Sequence, residues 1–232
     1  MLAGARLAGA RLDGADLSDA QLDGAGLRGC RAEELLFSKV SLAGADLAGV
    51  VLERCNFFEV DCAGADFTGA RLDQSVFLDA RGDGASFREA SLVNLRVAKA
   101  ERGSSFAGAD FRGADLTTAN LRGAALAGAD LTGAILRAAD LSETDLTNAK
   151  LTGVRAVEAR FERANLAGAD VRCADLRGAL LGRAGVAGAD FEQASLFRAD
   201  GMRMVGDAQT SFRGANLKHL RHVQSRGDDG QG

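Results

Sequence analysis

The chain has 232 residues, with 28 Lys and Arg against 32 Asp and Glu, a formal net charge of −4, 30 glycines and no proline. This near balance argues against direct nucleic-acid binding, which needs a basic surface, and against a strongly acidic mimic. No run of about eighteen apolar residues occurs, so no membrane-spanning helix is expected. The absence of proline suits continuous backbone ladders, to which proline cannot donate.

From its first residues the chain is written in five-residue units: Ala, then Asp or Asn, then Leu or Phe, then two variable residues, the second often Gly. We call the large third residue the centre. In residues 1–99 centres fall at Leu2, Leu7, Leu12 and Leu17 and at every fifth position up to Val97. A spacing of five gives no helical stripe, and in a straight strand it would send successive centres to opposite faces. A bend after every unit resets the phase and lets Ala and the centre point inward on each short side. A second period sits in the last residue of each unit. Gly4, Gly24, Gly44, Gly64 and Gly84 recur every twenty residues, and Gly9, Gly29, Gly49 and Gly69 follow five later. The two remaining columns hold residues such as Glu34 and Arg54, or Lys39 and Glu59. Four sides therefore complete one coil, numbered one to four from Leu2.

The phase breaks at 100–103, read as a four-residue insertion at a corner. It resumes over 104–201 as a second block of the same domain, whose most regular stretch is 109–131, ADFRGADLTTANLRGAALAGADL. A second break is expected at 202–209, last repeats at 210–224, and a polar, disordered tail at 225–232. The expected fold is all-β: a four-sided parallel β-helix of about ten coils, stacked about 4.8 Å apart into a rod about 50 Å long. No charged-then-apolar leader precedes the repeats, so a cytoplasmic location is expected.

These tandem units resemble the pentapeptide-repeat family over nearly the whole chain. The resemblance implies a right-handed quadrilateral β-helix with four pentapeptides per coil, and it implies no activity, because one fold carries many roles.

Ten of the twelve phenylalanines occupy centres, and Phe37, Phe57 and Phe77 fall in register on side four, Phe67 and Phe87 on side two. Stacked rings should give each coil a large apolar contact with the next. Cys30, Cys55 and Cys62 are at inward positions and Cys173 at a corner, with no metal-ligand spacing, so four reduced thiols are expected. His219 and His222 are an isolated pair in the fading repeats. Asp46, Asp66, Asp110, Asp130 and Asn165 recur before centres as part of the motif, which makes them structural or surface residues rather than catalytic ones. No enzyme activity, metal or cofactor is expected.

Function then lies on the outer surface. On side three, Asp13, Glu33, Glu53 and Asp73 recur every twenty residues and should stack as an acidic ladder, with Arg11, Arg31 and Arg71 on the same face. On side four, Leu36, Phe58, Val76 and Leu78 point outward as an apolar patch suited to a protein partner or to self-association. At the same side's corner, Arg163, Arg183 and Arg203 form a basic column. The leading reading is a non-catalytic protein-binding scaffold. Resemblance to the best-known branch of the family implies an alternative: a DNA mimic that binds type II topoisomerase (gyrase) and protects it from inhibitors. This chain departs from that branch in its balanced charge and in lacking an apolar C-terminal dimerisation segment. Runs such as LAGADL also resemble repeat modules of accessory proteins in bacterial type VI secretion, a third reading. Because repeats begin at Met1 and Leu2, the first coil is expected to be covered by a second copy, a partner or a further domain.

Overall fold

The computed structural model describes residues 3–98 and 103–221. The expectations placed on Met1 and Leu2, on most of the first insertion, on His222 and on the polar tail lie outside the described residues.

Parallel bridges run up every side of the chain, from Arg6–Gly26 at one end to Asp200–Arg221 at the other, with partners twenty residues apart through most of the length. Among the described residues there is no helix. The architecture is an all-β parallel solenoid in which four short sides close each coil. Its repeat follows from a simple division of labour. The residue before each centre donates its N–H to the coil before, as Gly26 does to the Ala5 carbonyl at 2.8 Å, and the centre donates to the coil after, as Leu7 does to Gly26 at 2.8 Å. Every coil thereby satisfies its neighbours' backbone groups, which an interior cannot leave unpaired.

Corners close by a second device. The Ala10 N–H returns to the Leu7 carbonyl at 2.9 Å, a four-residue turn repeated at most corners. The last residue of each unit then takes a left-handed φ, 73° at Gly9 and 55° at Lys39. Glycine adopts that conformation without cost, whereas other L-residues lose about 1 kcal/mol or more. Asp or Asn before the centre reinforces the corner. The side chains of Asp46, Asp66, Asp110, Asp130 and Asn165 each accept the N–H two residues on, at 2.9–3.2 Å. These are turn-forming residues.

On sides three and four of the early coils the backbone straightens into true strands. β1 (Arg31–Glu33) pairs with β3 (Val51–Glu53), while β2 (Leu36–Ser38), β4 (Asn56–Phe58), β5 (Val76–Leu78) and β6 (Arg96–Ala98) form a four-stranded parallel sheet in the order β2-β4-β5-β6. Here serine hydroxyls complete the corners. The buried Ser75 Oγ accepts the Cys55 N–H at 3.0 Å and donates to the Leu52 carbonyl at 2.9 Å, filling the place of the turn bond. Ser104 Oγ likewise accepts the Ala80 N–H, at 3.1 Å, and donates to the Ala98 carbonyl at 3.2 Å.

Inside, Phe37, Phe57 and Phe77 stack at 4.7 and 4.4 Å, nearly parallel. Phe67, Phe87 and Phe111 stack at 4.9 and 5.0 Å. Phe106 joins the two stacks edge-on, 5.7 Å from Phe77 and 5.8 Å from Phe87. Its ring occupies space left by a missing side chain: a Cβ on Gly82 would lie 2.5 Å from the Phe106 ring.

The bridges resume beyond both breaks. Arg81 bridges Ser105, twenty-four residues on, and the twenty-residue spacing returns at Ser105–Ala125. The second break is narrower than 202–209. Gly185 still bridges Val205 at twenty residues, and Asp190 bridges Ser211 at twenty-one. One residue is added, and Asp207 tucks it in, its Oδ1 accepting the N–H groups of Gly188, Gln209 and Thr210 at 2.8–3.1 Å.

Candidate functional site

The β2-β4-β5-β6 sheet presents its outer residues in two columns. Leu36, Asn56, Val76 and Arg96 stand opposite one another in one, and Ser38, Phe58, Leu78 and Ala98 in the other. The sheet brings Leu36, Phe58, Val76 and Leu78 to one outer face, while the intervening Phe37, Phe57 and Phe77 are fully buried. Leu36 is 50% exposed, and Phe58, Val76 and Leu78 are half-buried by one another's strands. Asn56 separates Leu36 from Val76, so the apolar surface is widest where Phe58 lies opposite Leu78.

The acidic ladder of side three is built on the neighbouring sheet, with Glu33 opposite Glu53. Each acid has a partner. Arg11 Nε meets Asp13 at 3.0 Å, Arg54 is ion-paired with Glu33, and Arg71 Nη2 meets Glu53 at 2.5 Å. Asp73 instead accepts the Ser91 hydroxyl at 2.5 Å and the Val93 N–H at 3.0 Å. Like charges one coil apart repel, and the interleaved arginines offset that repulsion.

In the later coils, Asp-then-Arg units form exposed bidentate pairs. Arg172 reaches Asp170 through Nε at 2.8 Å and Nη2 at 2.6 Å, and Arg112 and Arg177 hold Asp110 and Asp175 alike. The hydrogen bonds from Arg172 hold the Asp170 carboxyl down to about 2, and those from Arg112 and Arg177 lower Asp110 and Asp175 below the usual carboxylate range. A depressed carboxylate pKa contributes stability above the unfolded value near 3.9, and that contribution disappears as pH falls through the folded value. The melting temperature should therefore drop as pH is lowered from about 4 to about 2, and Arg172→Gln should flatten part of that slope. A melting curve unchanged across this window would show that these pairs do not stabilise the fold.

Cys30, Cys55 and Cys62 are buried and Cys173 is exposed, all four as free thiols. Desolvation pushes the Cys62 thiol up to about 12, so it stays protonated and inert. His219 packs edge-on against Phe197 at 5.6 Å. Among the described residues no group of three or more His, Cys, Asp or Glu could hold a metal ion, and no helix is long and apolar enough to cross a membrane.

A parallel solenoid built from five-residue units, with charged and apolar ladders on its outer faces, defines a β-solenoid repeat protein. The family model for pentapeptide repeats matches in eight copies, at residues 2–34, 36–74, 61–95, 102–133, 116–153 and 144–183. The chain belongs to the pentapeptide-repeat family. Among solved structures it is similar to HetL, a pentapeptide repeat protein involved in heterocyst differentiation regulation in the cyanobacterium Nostoc sp. strain PCC 7120. That match has 26% identity, covers 93% of this chain and 87% of HetL, and has a TM-score of 0.55. It is also similar to QnrB1, a plasmid-mediated fluoroquinolone resistance protein, at 21% identity over 92% of this chain and 88% of QnrB1, with a TM-score of 0.29. A pentapeptide repeat protein of the Arabidopsis thaliana thylakoid lumen is 28% identical over 65% of this chain and 70% of its own, with a TM-score of 0.22. The last two superpose too loosely to bear on function. No curated protein matches.

Proposed function

We propose that the chain is a non-catalytic protein-binding scaffold and that the outer face of the β2-β4-β5-β6 sheet is its contact surface. One observation carries this reading: Phe58 and Leu78 lie directly opposite each other on neighbouring strands of one outward face, beside Leu36 and Val76. Apolar side chains gathered on a flat sheet favour association over solvent exposure. The reading in which a DNA mimic binds topoisomerase has less support, because Asp13, Glu33 and Glu53 already meet arginines and leave little free negative field.

The test is affinity capture from native lysate with wild type beside the Phe58→Asp, Leu78→Asp double variant. A protein retained by wild type and lost by the variant, with both melting at the same temperature, supports the sheet face as the working surface. Equal capture by both moves the site elsewhere. Capture of nothing by either removes the scaffold reading.

A further inference from the structure

We propose that the C-terminal half of side four carries a second, separate groove that binds an acidic peptide segment through two arginines and an apolar notch. The inference does not depend on the sheet-face reading, since it concerns other coils and another chemistry.

The corners after side four stack coil upon coil. The Arg163 N–H donates to the Gly182 carbonyl and the Arg183 N–H to the Met202 carbonyl, both at 2.9 Å. Arg183 and Arg203 are thus aligned one coil apart, about 4.8 Å along the rod, and both are exposed. Beside them runs an open groove of about 470 Å³. Leu180, 36% exposed, and Met202 line it, and Gly182 leaves its middle empty. A Cβ there would come no closer than 3.8 Å to the Met202 carbonyl oxygen and 4.0 Å to Glu162 Cγ.

Charge accounting singles out the two arginines. Glu162 is held by Arg160, through Nε at 3.1 Å and Nη2 at 2.8 Å, and Asp200 faces Arg221 at 3.5 Å. Arg163 shares Glu143 with Arg122. Among the described residues Arg183 and Arg203 have no acidic partner, although two acids line the same groove. They are the uncompensated charges of this surface. In an extended peptide, alternate side chains on one face lie about 6.8 Å apart, a span that two flexible guanidinium groups one coil apart can bracket. The next residue on that same face, two positions further along, can seat an apolar side chain between Leu180 and Met202. A nucleic-acid strand fits less well, because no aromatic ring lines the groove for a base to stack on.

The probe is a fluorescent peptide of sequence Glu-Ser-Glu-Ser-Leu, whose two acids and leucine share one face when extended, titrated by anisotropy at low salt against the full chain. Saturable binding is expected, weakened at least about tenfold, the equivalent of about 1.4 kcal/mol, by Arg183→Gly with Arg203→Gly. Their φ values of 62° and 60° suit glycine, so these variants should keep the fold, as a circular dichroism melt would verify. Gly182→Leu fills the notch without touching either charge and should weaken binding comparably. Arg177→Gln, on side three, should leave it unchanged. The proposal is overturned by an absence of saturable binding, by equal binding to the glycine variants or to Gly182→Leu, or by an oligonucleotide of equal charge binding as tightly as the peptide.

Discussion

Phe106→Ala should destabilise the chain by about 3–5 kcal/mol, the range for emptying a buried aromatic site. Phe106 is 2% exposed and touches Phe77, Phe87 and Phe111 edge-on, so its loss opens a cavity where both ring stacks meet. The backbone cannot easily collapse into that space, because each coil is held in register by its ladder bonds. The neighbouring Gly82 supplies a more discriminating measurement. Gly82→Ala places a Cβ about 2.5 Å from the Phe106 ring and should cost about 1–3 kcal/mol as overpacking. Phe106→Leu should relieve that clash, so the double variant should be more stable than the sum of the two single changes predicts. Urea unfolding of the four proteins reads the coupling. Strict additivity would mean that the glycine is there for some reason other than the ring.

Ser75→Ala is expected to cost about 1–3 kcal/mol, although it removes a single buried oxygen. The hydroxyl serves two backbone groups at once, the Cys55 N–H and the Leu52 carbonyl. Alanine strands both where water cannot reach. The matching change Ser91→Ala removes a hydroxyl bonded to the Asp73 carboxylate on the outer face, where solvent can replace it, and should cost well under 1 kcal/mol. Thermal melts of the two variants separate the cases. Equal losses would mean that the inward hydroxyl does not substitute for the missing turn bond.

Most of the architecture was legible because the repeat is periodic at two lengths. The five-residue spacing forces the bends, and the twenty-residue glycine columns count the sides. The vertical partners of Phe37 and Phe67 follow from arithmetic alone, as does the outward placement of Phe58 and Leu78. Three features were not legible, each for a physical reason. Gly82 and Phe106 compensate each other across the first break, and a reading that treats every centre alike overlooks a large residue beside an absent one. The inward hydroxyls of Ser75 and Ser104 look like conservative replacements for Ala until the corner is seen to lack its own bond. Which charges find a partner, as Glu33 and Glu53 do and Arg183 does not among the described residues, depends on where long side chains reach, which periodicity does not encode. The extra residue near Asp207 was visible as a disturbance, but only hydrogen bonding shows that the repeat continues through Val205.

The direction of the ladder bonds has a mechanical consequence. They run parallel to the long axis, as in the 2.8 Å contact between Leu7 and Gly26. A pull on the two ends therefore stretches them directly instead of shearing strands past one another. The bonds joining one coil to the next share the tension and give way together, and the next boundary is loaded afterwards. Each coil that unwinds frees about twenty residues of contour, roughly 65 Å of extended chain, in place of a rise of about 5 Å. Such a rod is stiff against small forces and lengthens in large, even increments beyond its yield point, a spring with discrete stops.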